Sequence, residues 1–394
     1  MASSQHILLK INNIRDVFEI ISKNVKISRY ELAEQTKLSL TSMTRIVTKL
    51  ESMGFVHESE AVSDRPGRKT KLIEVVPDVR LTAGIHIEKD FIRVGLINVV
   101  NEIVASVERK CTGKNLSAKE TMDWIAGVLN ELIKETGIDS ARVVGTGIAL
   151  PGVVDYEQGI LHFSPQLMWQ ELPIKNIAQD VFPGLILVDN DINLFALGEN
   201  ASGIEGKPKS VAVLSIGSGV GAAFVNENGI FRGAFNMTGE IGHARVDVGG
   251  ILCECGRIGC LQTHMAQRAI INKAREINPS VKTVNEIMNY MEEGVFWAVS
   301  IVNDVVNYAA IAIGMLASLF DPETIIIGGE LIEQYGAIFE RIVKRYKDTE
   351  FDMLRSRCKI IESGLKDHAV WYGAAVVAMS EYLSSFQFDC LEGE

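Results

Sequence analysis

Three cysteines and a histidine crowd one stretch of the chain: His243, Cys253, Cys255 and Cys260. Three thiolates and one imidazole make a Cys3His donor set, which suits a closed tetrahedral zinc site. Gly256 and Gly259 let the loop wrap tightly around an ion. Cysteines one residue apart, as at 253 and 255, rarely form a disulfide without strain, so a shared metal explains them better than a bridge. The clustering also argues against an extracellular disulfide framework. With no open coordination position, the expected role of zinc is structural. It orients the loop, residues 240–262, that bears Glu240 and His243.

A second set of residues suits nucleic acid. Thr41, Ser42, Thr44 and Arg45 fall on the polar side of a short helical segment whose other side carries Ile46, Val47 and Leu50. Short hydroxyls and one guanidinium can bond phosphates and guanine edges. Arg65, Arg68 and Lys69 follow in a basic loop that could reach the minor groove or the backbone; a flexible linker is the plainer reading of that loop.

The elements that must position these groups are legible. Ile7, Leu8, Ile11, Ile14, Val17, Phe18 and Ile21 recur at helical spacing over 7–22. A second helix starts at Ser28, where Ser28 and Glu31 make the S-x-x-E capping pattern. A third runs from about Ser39 to Met53 and stops at Gly54. Two strands, 55–57 and 72–76, form a wing. Helix, turn, helix and wing together place one helix in a major groove; a protein-docking module is the alternative. Pro77-Asp78 reads as a boundary, giving a winged helix-turn-helix DNA-binding domain over 1–76.

From residue 81 to 394 the pattern is α/β. Strands are expected at 83–88, 91–97, 102–108, 142–149, 185–188, 211–216, 222–226, 324–327 and 358–362. Helices are expected at 117–136, near 193–202, at about 296–319 and at 369–383. Two α/β halves of similar layout fit this order. The 394 residues carry a net charge of −11, which excludes uniform nucleic-acid binding. Residues 1–76 hold 12 Lys/Arg against 9 Asp/Glu, and the remainder 27 against 41. A mildly basic head on an acidic body fits a local DNA contact. No apolar h-region marks a signal peptide. The longest apolar run, near Ala309–Phe320, is shorter than the ~20 residues that span a bilayer. A cytoplasmic protein without membrane contact is expected.

The segment Glu240-Ile241-Gly242-His243 with its Cys-x-Cys-Gly-x-x-Gly-Cys run resembles the signature of the ROK family of repressors and sugar kinases. Leu150–Asp155, Asp189–Asn193 with Ala196–Glu199, and Ile327-Gly328-Gly329 resemble three further family segments. The helix-turn-helix head resembles the repressor branch, which includes regulators of xylose, glucose and N-acetylglucosamine use. The resemblance covers nearly the whole chain. It implies an actin-like ATPase (sugar kinase) fold of two α/β lobes around a cleft, a sugar or sugar-phosphate effector, operator DNA and zinc. Asp191 matches the general base of the family's kinases, and Asn190 and Glu240 match sugar-binding positions. His243 matches a residue that binds zinc with one ring nitrogen and can offer the other to the sugar. Such groups suit a polyol, because carboxylates accept from hydroxyls and amides both donate and accept. Asp191 is also a candidate N-cap for the helix that follows. Gln166 and Gln262 stand where the family usually has asparagine and glutamate, so the preferred sugar is expected to differ from glucose, or to bind weakly.

Family kinases open their first lobe with an Asp-x-Gly-Gly-Thr turn that cradles phosphate. Here the stretch is Gly84-Ile85-His86-Ile87-Glu88-Lys89-Asp90. Two carboxylates would repel ATP, and without glycine the close backbone approach is lost. The expectation is therefore a sugar-responsive repressor with no catalytic residues. A sugar kinase with an added DNA-binding domain is the alternative, and control by a protein partner a third. A homodimer or higher homo-oligomer is expected, because such heads usually read paired half-sites.

Overall fold

The computed structural model describes residues 2–60, 71–111, 116–349, 352 and 357–384, with residues 2–12 and 60 described by backbone alone. The chain begins with α1 (Ala2–Lys23), β1 (Ile27–Ser28), α2 (Arg29–Thr36), α3 (Leu40–Ser52), β2 (Val56–Glu60) and β3 (Lys71–Val75). The Ser28 hydroxyl accepts from Glu31 N–H at 3.2 Å and the Glu31 carboxylate accepts from Ser28 N–H at 2.8 Å, so α2 starts on a complete capping box. The Ser39 hydroxyl caps α3 by accepting from Ser42 N–H at 3.2 Å. Met43, Val47 and Leu50 face inward onto Ile14, Val17, Phe18 and Ile21 of α1. The wing is three-stranded, in the order β1-β3-β2, and not the two-stranded ribbon expected. A two-residue strand directly before a helix cap carries no alternation by which to recognise it. Arg29 and Lys71 both clasp Glu58 across this sheet.

Two lobes follow. The first holds β4 (Leu81–Ile87), β5 (Phe91–Asn98), β6 (Ile103–Lys110), α4 (Ala118–Thr136), β7 (Val143–Leu150), β8 (Val153–Asp155), β9 (Ile160–Ser164), β10 (Trp169–Leu172), α5 (Ile174–Gln179), β11 (Leu185–Asn190) and α6 (Asp191–Ala201). The second holds β12 (Ser210–Ile216), β13 (Val220–Asn226), β14 (Gly229–Ile230), α7 (Gln262–Met265), α8 (Gln267–Ile277), α9 (Val284–Glu292), α10 (Phe296–Phe320), β15 (Thr324–Gly328), α11 (Glu330–Gln334), α12 (Gly336–Thr349) and β16 (Lys359–Glu362). The chain then returns to the first lobe as α13 (Ala369–Ser384). The main sheets run β6-β5-β4-β7-β11 and β14-β13-β12-β15-β16. In both, three antiparallel strands are followed by two parallel ones, so the halves share one topology. The small sheet β8-β9-β10 went unpredicted, because its strands are short and mixed in polarity.

The apolar run near Ala309–Phe320 belongs to a 25-residue helix, α10, which is long and apolar enough to cross a bilayer by length and composition alone. The expectation that the run is too short is corrected to that extent. Its Val302, Val305, Ala309, Ile313 and Leu316 are buried in the core of the second lobe, which accounts for its composition.

Glycines let α13 sit directly on its neighbours. A Cβ on Gly373 would lie 1.9 Å from the Leu194 carbonyl oxygen of α6, and one on Gly198 would lie 2.3 Å from the Ala369 oxygen. On another side, Trp371 fills the space over Gly95 of β5, where a Cβ would stand 2.1 Å from its ring. Trp371, Tyr372, Ala375 and Met379 then join one apolar cluster with Ile97, Val99 and the head's Val17, Phe18, Phe55 and Ile73. The segment after the wing is correspondingly tied down. Val99 N–H donates to Pro77 O at 3.2 Å, and Asn98 Nδ2 donates to Asp78 Oδ1 at 3.1 Å.

Gly373→Ala should therefore destabilise the protein by roughly 1–3 kcal/mol in denaturant unfolding, the usual cost of overpacking. Gly127→Ala, on α4 with nothing within 4 Å of its Cβ, should stabilise by about 0.5–1 kcal/mol. Equal midpoints for the two variants would show that α13 has slack against α6.

Candidate functional site

The glycine-rich loop after β14 gathers the predicted metal ligands. His243, Cys253, Cys255 and Cys260 each offer one ligand atom, and all four atoms lie within 4.8 Å of one another. Cys253 Sγ faces His243 Nδ1 at 3.7 Å, and Cys255 Sγ faces Cys260 Sγ at 3.6 Å. The loop can close this tightly because a Cβ on Gly259 would collide with Asp247 O at 1.5 Å. Cys253 and Cys260 are buried and Cys255 is exposed. Burial pushes the Cys253 thiol above its ordinary value and the Cys260 thiol up to about 12. Burial opposes ionisation of Cys255 as well, but hydrogen bonds from Arg257, chiefly its backbone N–H, bring that thiol down to about 6. The donor set and its closure fit a tetrahedral metal ion.

The other ring nitrogen of His243, Nε2, points to Glu240 Oε2 at 3.9 Å. A metal on Nδ1 would thus have a carboxylate behind its histidine, the usual way such a ring is oriented. The loop from Glu240 to His243 is held close to β13: a Cβ on Gly242 would meet Val220 O at 2.2 Å. Burial raises the Glu240 carboxyl against the opposing pull of His243.

Asp191 starts α6, at the C-terminal end of β11, where open α/β sheets bind ligands. Asn190, not Asp191, is the N-cap: its Oδ1 accepts from Ile192 N–H at 2.9 Å and Asn193 N–H at 3.2 Å. Its Nδ2 donates to Gly152 O at 2.9 Å, so both ends of this amide are engaged within the protein. Asp191 Oδ1 accepts from Ile192 N–H at 2.8 Å. Burial, then the negative charges of Glu88 and Glu240, hold its carboxyl well above the ordinary carboxylate range.

The two glutamines stand differently from each other. Gln262 is buried and donates through Nε2 to Glu254 Oε1 at 2.8 Å, which ties it to the cysteine loop; its Oε1 lies beside Gly242. Gln166 Nε2 faces Gly219 in the turn between β12 and β13, and its Oε1 is buried without a hydrogen-bond partner. Such an orphaned acceptor is costly unless a ligand or water meets it. In the head, Thr41, Ser42, Thr44 and Arg45 are all exposed on α3, with Thr48 beside them. Arg65, Arg68 and Lys69 lie outside the described residues.

Two contributors escaped sequence reasoning. Asp189, 1% exposed, receives both terminal nitrogens of Arg232, at 2.9 and 2.7 Å, and Arg232 also lies 4.0 Å over the Tyr156 ring. This bidentate pair joins the lobes directly under Asn190 and Asp191, and nothing in a separation of 43 residues announces it. Glu199, also buried, accepts from Ser363 Oγ and from the N–H groups of Gly364 and Leu365, which anchors the far end of α6 to the second lobe.

The sequence model of the ROK family matches residues 82–381, and that of the MarR family matches residues 16–65. The xylose repressor of Caldicellulosiruptor bescii is 29% identical over 397 residues, spanning 96% of this chain and 98% of that protein. A crystal structure described as a ROK-family transcriptional regulator, homologous to the Escherichia coli Mlc protein, superposes with a TM-score of 0.81. It is 23% identical and covers 98% of this chain and all of its own. The ROK-family glucokinase of Streptomyces griseus, solved with glucose and AMPPNP, has a TM-score of 0.66 at 26% identity, over 76% of this chain and 99% of its own. The fold is thus a winged helix-turn-helix followed by the two-lobed, actin-like sugar-kinase architecture.

Metal binding requires deprotonated thiols. At pH 8 Cys255 is already a thiolate in the metal-free protein, while Cys253 and Cys260 keep their protons. Zinc uptake at pH 8 should release about two protons per chain, read by calorimetry in buffers of different ionisation enthalpy; release of none would contradict this ligand set. Separately, Arg232→Ala should cost roughly 3 kcal/mol in chemical unfolding, because it leaves Asp189 as a buried, uncompensated charge. A loss near zero would mean that Asp189 is hydrated.

Proposed function

The chain belongs to the ROK family, and from that premise we propose that it is a sugar-responsive transcriptional repressor of carbohydrate-use genes. Residues 1–76 act as the DNA-binding domain and residues 81–394 as the effector domain. Thr41, Ser42, Thr44 and Arg45 read an operator, with Arg65, Arg68 and Lys69 on the wing. Asp191, Glu240, His243 and Gln166 receive a sugar or sugar phosphate, while Asn190 and Gln262 frame the cleft. Zinc on His243, Cys253, Cys255 and Cys260 fixes the loop that carries Glu240. The protein works in the cytoplasm as a homodimer or higher oligomer, because paired heads read paired half-sites.

The observation that carries this reading is the unbroken apolar cluster from the head to α13, which packs on α6, the helix that Asp191 begins. A sugar that prefers one arrangement of the lobes shifts the population of α6 and α13, and so of the heads. Repressor names among the relatives support the same assignment. Kinase chemistry is the second reading, favoured by the likeness to a glucokinase and by the retained turn Gly217-Ser218-Gly219. Against it, the turn between β4 and β5 presents Glu88. Across the cleft, burial and the Glu88 charge raise the Glu330 carboxyl, and the backbone N of Glu330 lies by Gly217. Two facing carboxylates oppose an incoming nucleotide phosphate.

The test is operator affinity by fluorescence anisotropy, with and without the sugar found by a thermal-shift screen. The sugar should weaken operator binding by about 1–3 kcal/mol, a typical coupling energy. Asp191→Asn should abolish that response and leave sugar-free operator affinity intact. Arg45→Ala should cost roughly 1–3 kcal/mol of specific binding. Sugar-dependent ATP consumption would instead establish the kinase reading.

A further inference from the structure

The ends of β4 and β11 bring together three groups, of which the effector reading uses only Asp191. His86, Glu88 and Asp191 each present one ligand atom, and these atoms lie within 4.8 Å of one another. His86 is 5% exposed, yet neither ring nitrogen has a hydrogen-bond partner. Its Nε2 stands 3.7 Å from Glu88 Oε1, beyond hydrogen-bond length. Phe91 closes the ring's environment edge-on at 5.6 Å. A buried imidazole with both nitrogens unsatisfied is a costly arrangement for a protein to keep.

The charges around it point the same way. Glu88 and Asp191 repel each other, and Glu240 adds a third carboxylate to the field at Asp191. Among the described residues, neither Glu88 nor Asp191 has a lysine or arginine partner; Arg93, on the neighbouring strand, is paired with Glu108 at 2.9 Å and lies over the Phe91 ring. Buried like charges of this kind are resolved by proton uptake or by a bound cation.

We propose that His86, Glu88 and Asp191 form a second metal site, separate from the cysteine loop, that takes a divalent first-row transition ion. An imidazole with two carboxylates is a donor set that such ions accept. Ligand bonds of about 2.0–2.2 Å require the three atoms to draw somewhat closer, which side-chain rotation supplies. The backbone delivers the donors in order: His86 lies in register with Ala149 near the end of β4, Glu88 follows the strand, and Asp191 follows β11. Where a kinase turn has glycines for a nucleotide phosphate, this turn carries the ligands of an ion. Three protein ligands leave coordination positions open to water or to the hydroxyls of a polyol. The site does not depend on the effector being a sugar, and its test uses the metal alone.

Full-length protein carrying one zinc per chain is titrated with Co(II), followed by calorimetry and by the visible spectrum. One further equivalent per chain is expected. Its spectrum should be that of nitrogen and oxygen ligands, without a thiolate charge-transfer band. Glu88→Gln, which keeps the side-chain volume, should weaken this event at least about tenfold, the scale on which metal sites respond to altered surroundings. His86→Gln is the second variant, and thermal melts without added Co(II) establish that each is folded. Absence of a further equivalent overturns the proposal. So does a thiolate band, which marks exchange at the cysteine loop, or an unchanged affinity in a folded Glu88→Gln protein.

Discussion

The two-lobed body and the head share one apolar cluster, and the contact between α6 and α13 ties that cluster to the helix that starts at Asp191. The contact is made by backbone: Gly373 lies against the Leu194 carbonyl, and Gly198 against that of Ala369. With Gly373 and Gly198 this close to the facing carbonyls, the helices have little room to slide independently, and close-packed interiors pass displacement on. At one end of α6 sits Asp191, in the cleft; at the other Glu199 grips residues 363–365 of the second lobe. α13 in turn buries Trp371 and Tyr372 in a cluster shared with the head. Cleft, lobes and reading helix thus meet on two packed helices.

This arrangement explains why the protein is best understood as two domains with one continuous apolar seam. Pro77-Asp78 looks like a linker in sequence, yet Pro77 O and Asp78 Oδ1 are both hydrogen-bonded to the first lobe. A tethered head is what a switch needs, because a freely jointed one would not sense a lobe movement. On the proposed reading, the cleft offers a polyol hydrogen-bonding groups and presents carboxyls on the side where a kinase would hold phosphate. Glu88 and Glu330 supply those carboxyls, and the Glu88 charge raises the Glu330 carboxyl.

Much of this was legible from residue types and spacing. The capping box at Ser28 and Glu31, the inward row of α3, and the gathering of His243, Cys253, Cys255 and Cys260 all form as their local patterns imply, because each depends on residues close in sequence. Long-range pairings were not legible. Asp189 meets Arg232 only once the two lobes come together, and His86 meets Asp191 only once strands β4, β7 and β11 lie side by side. Asn190 is the cap for which Asp191 was a candidate, since both residue types cap helices and the choice rests on where β11 ends. The third wing strand and the sheet β8-β9-β10 are too short for periodicity to reveal.

The claim that the cleft speaks to the head through α6 and α13 is tested most directly by amide hydrogen exchange on the full-length chain, free and saturated with its sugar. Exchange reports local opening segment by segment. The account predicts that the sugar alters protection along α6, along α13 and in α1 to α3 of the head, as well as in the loop around Glu240. A change confined to the cleft, with α13 and the head exchanging as in the free protein, would contradict it.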